Sequence, residues 1–214
     1  LIEFIISRQA LILKALIEHI QISLFAIAMI ILMGVPLGII ITRYRKIAPH
    51  IIAITGFLYT IPVLAFFGIM IPYTGIGRTP TLIALILYGL LPLVRNTYVG
   101  ITEVDKGMLE SARGMGSTDF QILKYVELPM ALPYIIAAIR TITVMTISIA
   151  TIAAFIGGGG LGVLIFRGIT TDNARFTLVG SLAVAFLAIL ADGLLGWVEK
   201  RINLRFVGNK MLGK

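Results

Sequence analysis

Five stretches of this chain, roughly 17–42, 47–71, 80–103, 129–156 and 176–198, stay apolar for the thickness of a bilayer, and no motif limits the fold as much. A helix rises 1.5 Å per residue, so about 20 apolar residues cover the ~30 Å of hydrocarbon. Without water in that layer every backbone N–H and C=O must find a partner within the segment, which a helix provides. Composition agrees: 58% of the 214 residues are apolar and only 13% charged. A mean hydropathy of +1.02 leaves too little polar surface to coat a soluble domain. The expectation is an all-α integral membrane protein, one transmembrane domain over 1–214.

Charge placement orients the spans. Arg43, Arg45 and Lys46 follow the first, Lys106, Arg113 and Lys124 the third, and Lys200, Arg201, Arg205, Lys210 and Lys214 the fifth. By the positive-inside rule these three regions are cytoplasmic, giving an N-out, C-in chain. The net charge of +8 is then a property of span ends, and no nucleic-acid partner is expected. The basic tail either anchors the last span or feels anionic membrane lipid. Residues 1–16, where Glu3, Arg8 and Lys14 interrupt apolar positions, read as an interfacial helix rather than a signal peptide, since no small-residue cleavage pattern follows. The first residue is Leu1, so extension at either end stays open.

Several chemistries are excluded. With no cysteine and only two histidines, His19 and His50, no metal site and no cysteine nucleophile is expected. An intramembrane enzyme would need a nucleophile and base buried together, and no serine has an obvious base, so no catalytic residue is assigned. A channel subunit would show an ion-selective ring or filter, and none is evident. Residues 114–118 lack the lysine of a phosphate-binding loop, so no nucleotide cofactor belongs on this chain. Residues 157–162 satisfy GxGxxG, but they follow an apolar span rather than a strand. The expectation there is a flexible turn breaking the fourth span, with 161–168 a short external helix.

Polar and breaking residues inside the spans carry paired readings. Pro36, Pro62 and Pro92 each remove a helical hydrogen bond and kink their helices, for packing or for gating. Pro72, Gly75, Gly77 and Pro80 mark a short external turn. Asp192 either lines a passage or pairs with Arg140; Arg95 and Arg140 snorkel or meet carboxylates. Thr141, Ser148 and Thr151 share a helical face that either packs closely or lines a mildly polar path. Tyr59, Phe66, Phe67 and Tyr88 are candidate ring faces for a cationic solute.

The interval 104–128 breaks the apolar pattern. Glu110, Arg113, Asp119, Lys124 and Glu127 cannot sit together in hydrocarbon, so this segment faces water. Asp105 is placed to cap a short helix, Gly114 and Gly116 to stop it, and Thr118 with Gln121 to form a capping box opening a second. Met108, Leu109 and Ala112 then share one face. Such an apolar face rimmed by charge suits docking of a partner, or else a loop lying on its own bundle.

This interval resembles the EAA loop of ABC-importer permeases: Glu-Ala-Ala, three residues, Gly, nine residues, Ile, one residue, Leu-Pro. Here it stands as Glu110-Ser111-Ala112, Gly116, Val126 and Leu128-Pro129, with every spacing kept and two mild departures, Ser111 and Val126. The segments at 87–101, 110–119, 128–141 and 150–169 resemble the glycine betaine, carnitine and choline branch of that family. The resemblance implies a type I, MetI-like permease fold of about five helices. It further implies that residues 107–118 dock on a separate cytoplasmic ABC ATPase carrying ATP and Mg, with Glu110 making a polar contact and Gly116 a bend that a side chain would obstruct. Ser111, Ala112, Arg113, Gly114, Leu128 and Pro129 complete the expected coupling set. A second permease chain and an extracytoplasmic binding protein, or a fused binding domain, are implied as partners. A permease for methionine or another amino acid shares the EAA logic and is the competing reading; a channel-type subunit is the alternative of another class.

Overall fold

The computed structural model describes residues 1–206, with side chains described through Leu204; Lys210 and Lys214 of the basic tail lie outside the described residues. A short helix α1 (Ile2–Ser7) leads into α2 (Gln9–Arg43), one unbroken helix of 35 residues. The expected interfacial segment 1–16 is therefore divided. Only α1 is separate, and the stretch from Gln9 onward is continuous with the first long apolar run. Tertiary contact explains this: Ala15 is buried against Leu161, Leu164 and Phe176, while the Phe4 ring meets Phe176 edge-on at 4.8 Å.

The expected second crossing is two helices, α3 (Ala48–Thr60) and α4 (Val63–Thr74), bent by 96°. Pro62 is a full break rather than a kink. A proline ring disfavours helical backbone at the preceding residue, and Ile61 is extended at φ −67°, ψ 125°. Pro72 lies inside α4, so the turn that follows is built from Gly75 to Gly77.

Next come α5 (Arg78–Thr102), α6 (Lys106–Gly114) and α7 (Asp119–Ile122), then a π-helical turn (Leu123–Glu127), α8 (Leu128–Ile152) and a 3₁₀ turn (Ala153–Ile156). From Asp119 to Ile156 the backbone forms one 38-residue rod. The last elements among the described residues are α9 (Gly162–Thr170) and α10 (Ala174–Phe206). Among the described residues four helices are long and apolar enough to cross a membrane, and the bent α3–α4 pair supplies up to a fifth.

Helices α2, α5 and α8 share a core of Ile30, Leu93, Ile101, Ala131, Ile135, Ala138 and Ile142. Small residues let α2 and α5 approach: a Cβ on Gly34 would fall 2.9 Å from Leu93, and one on Gly38 2.5 Å from Thr97. This GxxxG face is how helices associate where lipid removes the hydrophobic driving force. Helix α10 turns Leu182, Phe186 and Ile189 outward, as a lipid-facing helix does.

Candidate functional site at the connection between the α5 and α8 helices

The polar interval folds through local rules. The Asp105 carboxylate accepts the Met108 N–H at 3.1 Å and opens α6. At the other end Ser117 N–H donates to Ala112 C=O at 3.1 Å and Gly116 N–H to Arg113 C=O at 2.9 Å. With Gly116 at φ +83°, these bonds make a Schellman cap. Thr118 and Gln121 exchange side chain-to-backbone bonds at 2.8 and 3.3 Å, the capping box of α7.

Two expectations change here. A Cβ on Gly116 would meet nothing within 4 Å, so glycine is required by the left-handed backbone and not by obstruction. Gly114 is the last helical residue of α6 rather than its stop, also in open space. The outward face differs too: Ala112 is 4% exposed and lies on the inner side of α6. Exposed apolar surface comes instead from Met108, Met115 at 80%, Phe120 at 70% and Tyr125, beside exposed Glu110, Ser111 and Arg113. Met115, Phe120 and Tyr125 were not singled out by spacing; their signal is large apolar residues within a polar stretch.

Leu128 and Pro129 begin α8 directly after the π-helical turn. Pro129 lacks the N–H that would reach the Tyr125 carbonyl, and its ring crowds that carbonyl, so the backbone widens there. Glu127, expected to face water, is 5% exposed. Its carboxylate accepts two N–H bonds from Arg43, one at 3.0 Å from Nη1 and one from Nη2.

The intramembrane polar residues fall into three arrangements. Arg140 on α8 donates to both Asp192 oxygens, at 2.6 and 2.7 Å, and to Glu199 Oε2 at 2.9 Å, all on α10. Of the two readings for Asp192, pairing is what the side chains do. The trio borders an open groove of about 610 Å³ that includes Thr141 and Met145. Thr141, Ser148 and Thr151 donate to carbonyls of their own helix at 3.0, 2.9 and 2.5 Å. Thr141 and Ser148 stay exposed on one face of α8, while Thr151 is half-buried. Tyr88 offers no open ring face: it is buried against Phe66, centroids 6.0 Å apart, and its hydroxyl donates to the Ile61 carbonyl at the α3–α4 break. An unpaired carbonyl in that setting is costly, which gives the hydroxyl a structural task.

The glycine run 157–160 is a packed turn, not a flexible one. A Cβ on Gly158 would lie 2.4 Å from Thr81 Oγ1, and one on Gly160 2.8 Å from His19 Nδ1. His19 is fully buried; its Nδ1 accepts the Leu161 N–H at 3.2 Å, which leaves Nε2–H to donate to Ile147 C=O at 3.1 Å. Glu18 accepts the Gly160 N–H at 3.3 Å.

Residues 34–204 match the family described as binding-protein-dependent transport system inner membrane component. Over 186 residues the chain is 44% identical to the choline transport system permease protein OpuBB of Bacillus subtilis, covering 87% of this chain and 86% of that protein. The glycine betaine/carnitine/choline transport system permease protein OpuCB of the same organism is 42% identical with the same coverage. The osmoprotectant import permease protein OsmW of Salmonella typhimurium is 43% identical over 183 residues, 83% of this chain and 85% of that one. In fold, the chain is similar to an inward-facing MetNI methionine ABC transporter structure, with TM-score 0.83, 21% identity, and coverage of 92% of this chain and 98% of that chain. The apolar helices, the EAA-patterned connection and these similarities together mean that the chain belongs to the binding-protein-dependent transport system inner membrane component family, as a multi-pass permease of the cytoplasmic membrane with the type I ABC-importer fold.

Proposed function

We propose that this permease imports a quaternary ammonium compatible solute, of the glycine betaine, carnitine or choline kind, by ATP-driven alternating access. The solute class is taken from the named activities of relatives matched over most of the chain. ATP and Mg reside on a cytoplasmic ABC ATPase, a second permease chain completes the path, and an extracytoplasmic binding protein or fused domain delivers the solute. In this reading the chain is N-out and C-in, so residues 104–128 face the cytoplasm.

One observation carries the coupling role. The EAA-patterned residues form two capped helices around a rigid glycine turn, with Met108, Met115 and Phe120 exposed beside Glu110 and Arg113. Large apolar side chains held outward on a preformed element, rimmed by charge, suit a cleft on another protein. Arg113, Gly114, Leu128 and Pro129 shape and frame that element.

The experiment is uptake into vesicles holding the permease with its candidate ATPase and binding protein. Labelled choline, glycine betaine or carnitine is expected to accumulate only with ATP. Accumulation of methionine instead would move the chain to the amino-acid branch, and ATP-independent flux would make it a channel. Glu110→Ala is expected to cut coupled uptake about tenfold, within the ~1–3 kcal/mol cost of leaving an interfacial polar partner unsatisfied.

A further inference from the structure

We propose that the Arg43–Glu127 ion pair is a transmission contact that makes α2 move with α8 when the coupling element is displaced. The inference rests on the coupling role proposed above and assigns a positioning pair that the EAA pattern does not specify: Arg43 lies outside it and Glu127 at its variable position.

Glu127 ends the π-helical turn between α7 and α8. Glu110, Arg113, Asp119 and Lys124 of the same interval are all exposed, whereas Glu127 is buried. A buried carboxylate is tolerated only when it is paired and hydrogen-bonded, and the Arg43 guanidinium meets both its oxygens. The partners lie 84 positions apart, on the last residue of α2 and at the head of α8. Helices α6 and α7 and the π-helical turn pack mainly on one another and on α8. The pair therefore ties this element to a different helix.

Apolar faces slide over one another with little change in energy, but a two-pronged ion pair has a fixed distance and direction. A push on α7 passes through the π-helical turn, and at Glu127 it is shared between the rod that continues to Ile156 and the end of α2. The same rod is tied again at Arg140, whose guanidinium lies over Gly196, where a Cβ would come within 3.2 Å of its carbon. These ties let one displacement reorient several helices together.

The test uses the assembled transporter in vesicles and reads solute moved per ATP hydrolysed, retention of the ATPase on purification, and thermal unfolding. Glu127→Gln and Arg43→Lys are expected to lower the solute-to-ATP ratio about tenfold while retaining the ATPase, within the range for cutting one member of a coupling network. The reversed pair, Arg43→Glu with Glu127→Arg, is expected to recover to within about threefold of the parent, as interacting residues do in a mutant cycle. Should Glu127→Gln fail to fold, Arg43→Lys carries the test, since it keeps the charge and loses only the fork. An unchanged ratio in a folded single variant overturns the proposal, as does loss of the ATPase or a reversed pair no better than the singles. If the unaltered chain retains no ATPase, the coupling reading itself fails; if ATPase binds and hydrolyses while the variants keep the parent ratio, only the transmission contact falls.

Discussion

Gly116 sits at φ +83° with open space where a side chain would go, so replacing it tests backbone conformation alone. Gly116→Ala is expected to destabilise the α6–α7 turn by about 1–2 kcal/mol, the cost of a left-handed backbone for a residue with a Cβ. Gly114→Ala, at a helical position with equal space, is expected to be neutral or stabilising by up to ~1 kcal/mol. Thermal melts of the purified chain separate the two; equal melting temperatures would remove the conformational account. The capping residues Asp105, Thr118 and Gln121 were legible in the sequence because each partner lies three positions away. Glu127 was not, because nothing local marks it as different from Lys124 or Asp119, and its partner is far away in the chain.

Among elements, the α3–α4 break and the α8–α10 contact carry the most specific expectations. Tyr88→Phe removes the hydroxyl from the Ile61 carbonyl and is expected to cost about 1–2 kcal/mol, seen as a lower melting temperature in detergent. An unchanged melt would mean the carbonyl is satisfied otherwise. At the second contact, Gly196→Val should push the Arg140 guanidinium off α10 and lower the melting temperature. Adding Gly196→Val to Arg140→Ala should then cost little further, since both remove the same contact. Additive losses would show that glycine and arginine act separately. Sequence alone supplied the candidates Pro62, Arg140 and Asp192, each with two readings, and Tyr88 as a ring face. The choice between readings depends on which helix stands opposite, and hydropathy carries no information on that.

On the scale of the whole molecule, orientation is the open expectation, and a chain without cysteine makes it simple to test. Met115→Cys and Thr171→Cys place single labels at exposed positions, one after α6 and one between α9 and α10. With an impermeant maleimide, Met115→Cys is expected to label only in inside-out vesicles and Thr171→Cys only in right-side-out ones. The opposite pattern would reverse the topology and leave the proposed coupling element on the wrong side for an ATPase. Membrane class, the long apolar runs, the polar interval and its EAA spacing were all set by sequence, because span length, hydropathy and capping are local or one-dimensional properties. The 96° break at Pro62, the seating of the glycine run on His19 and Thr81, and the pairings of Glu127 and Arg140 were decided by tertiary structure. Each depends on residues distant in the chain meeting in a medium without water, where a buried polar group must be satisfied by whichever helix packs beside it.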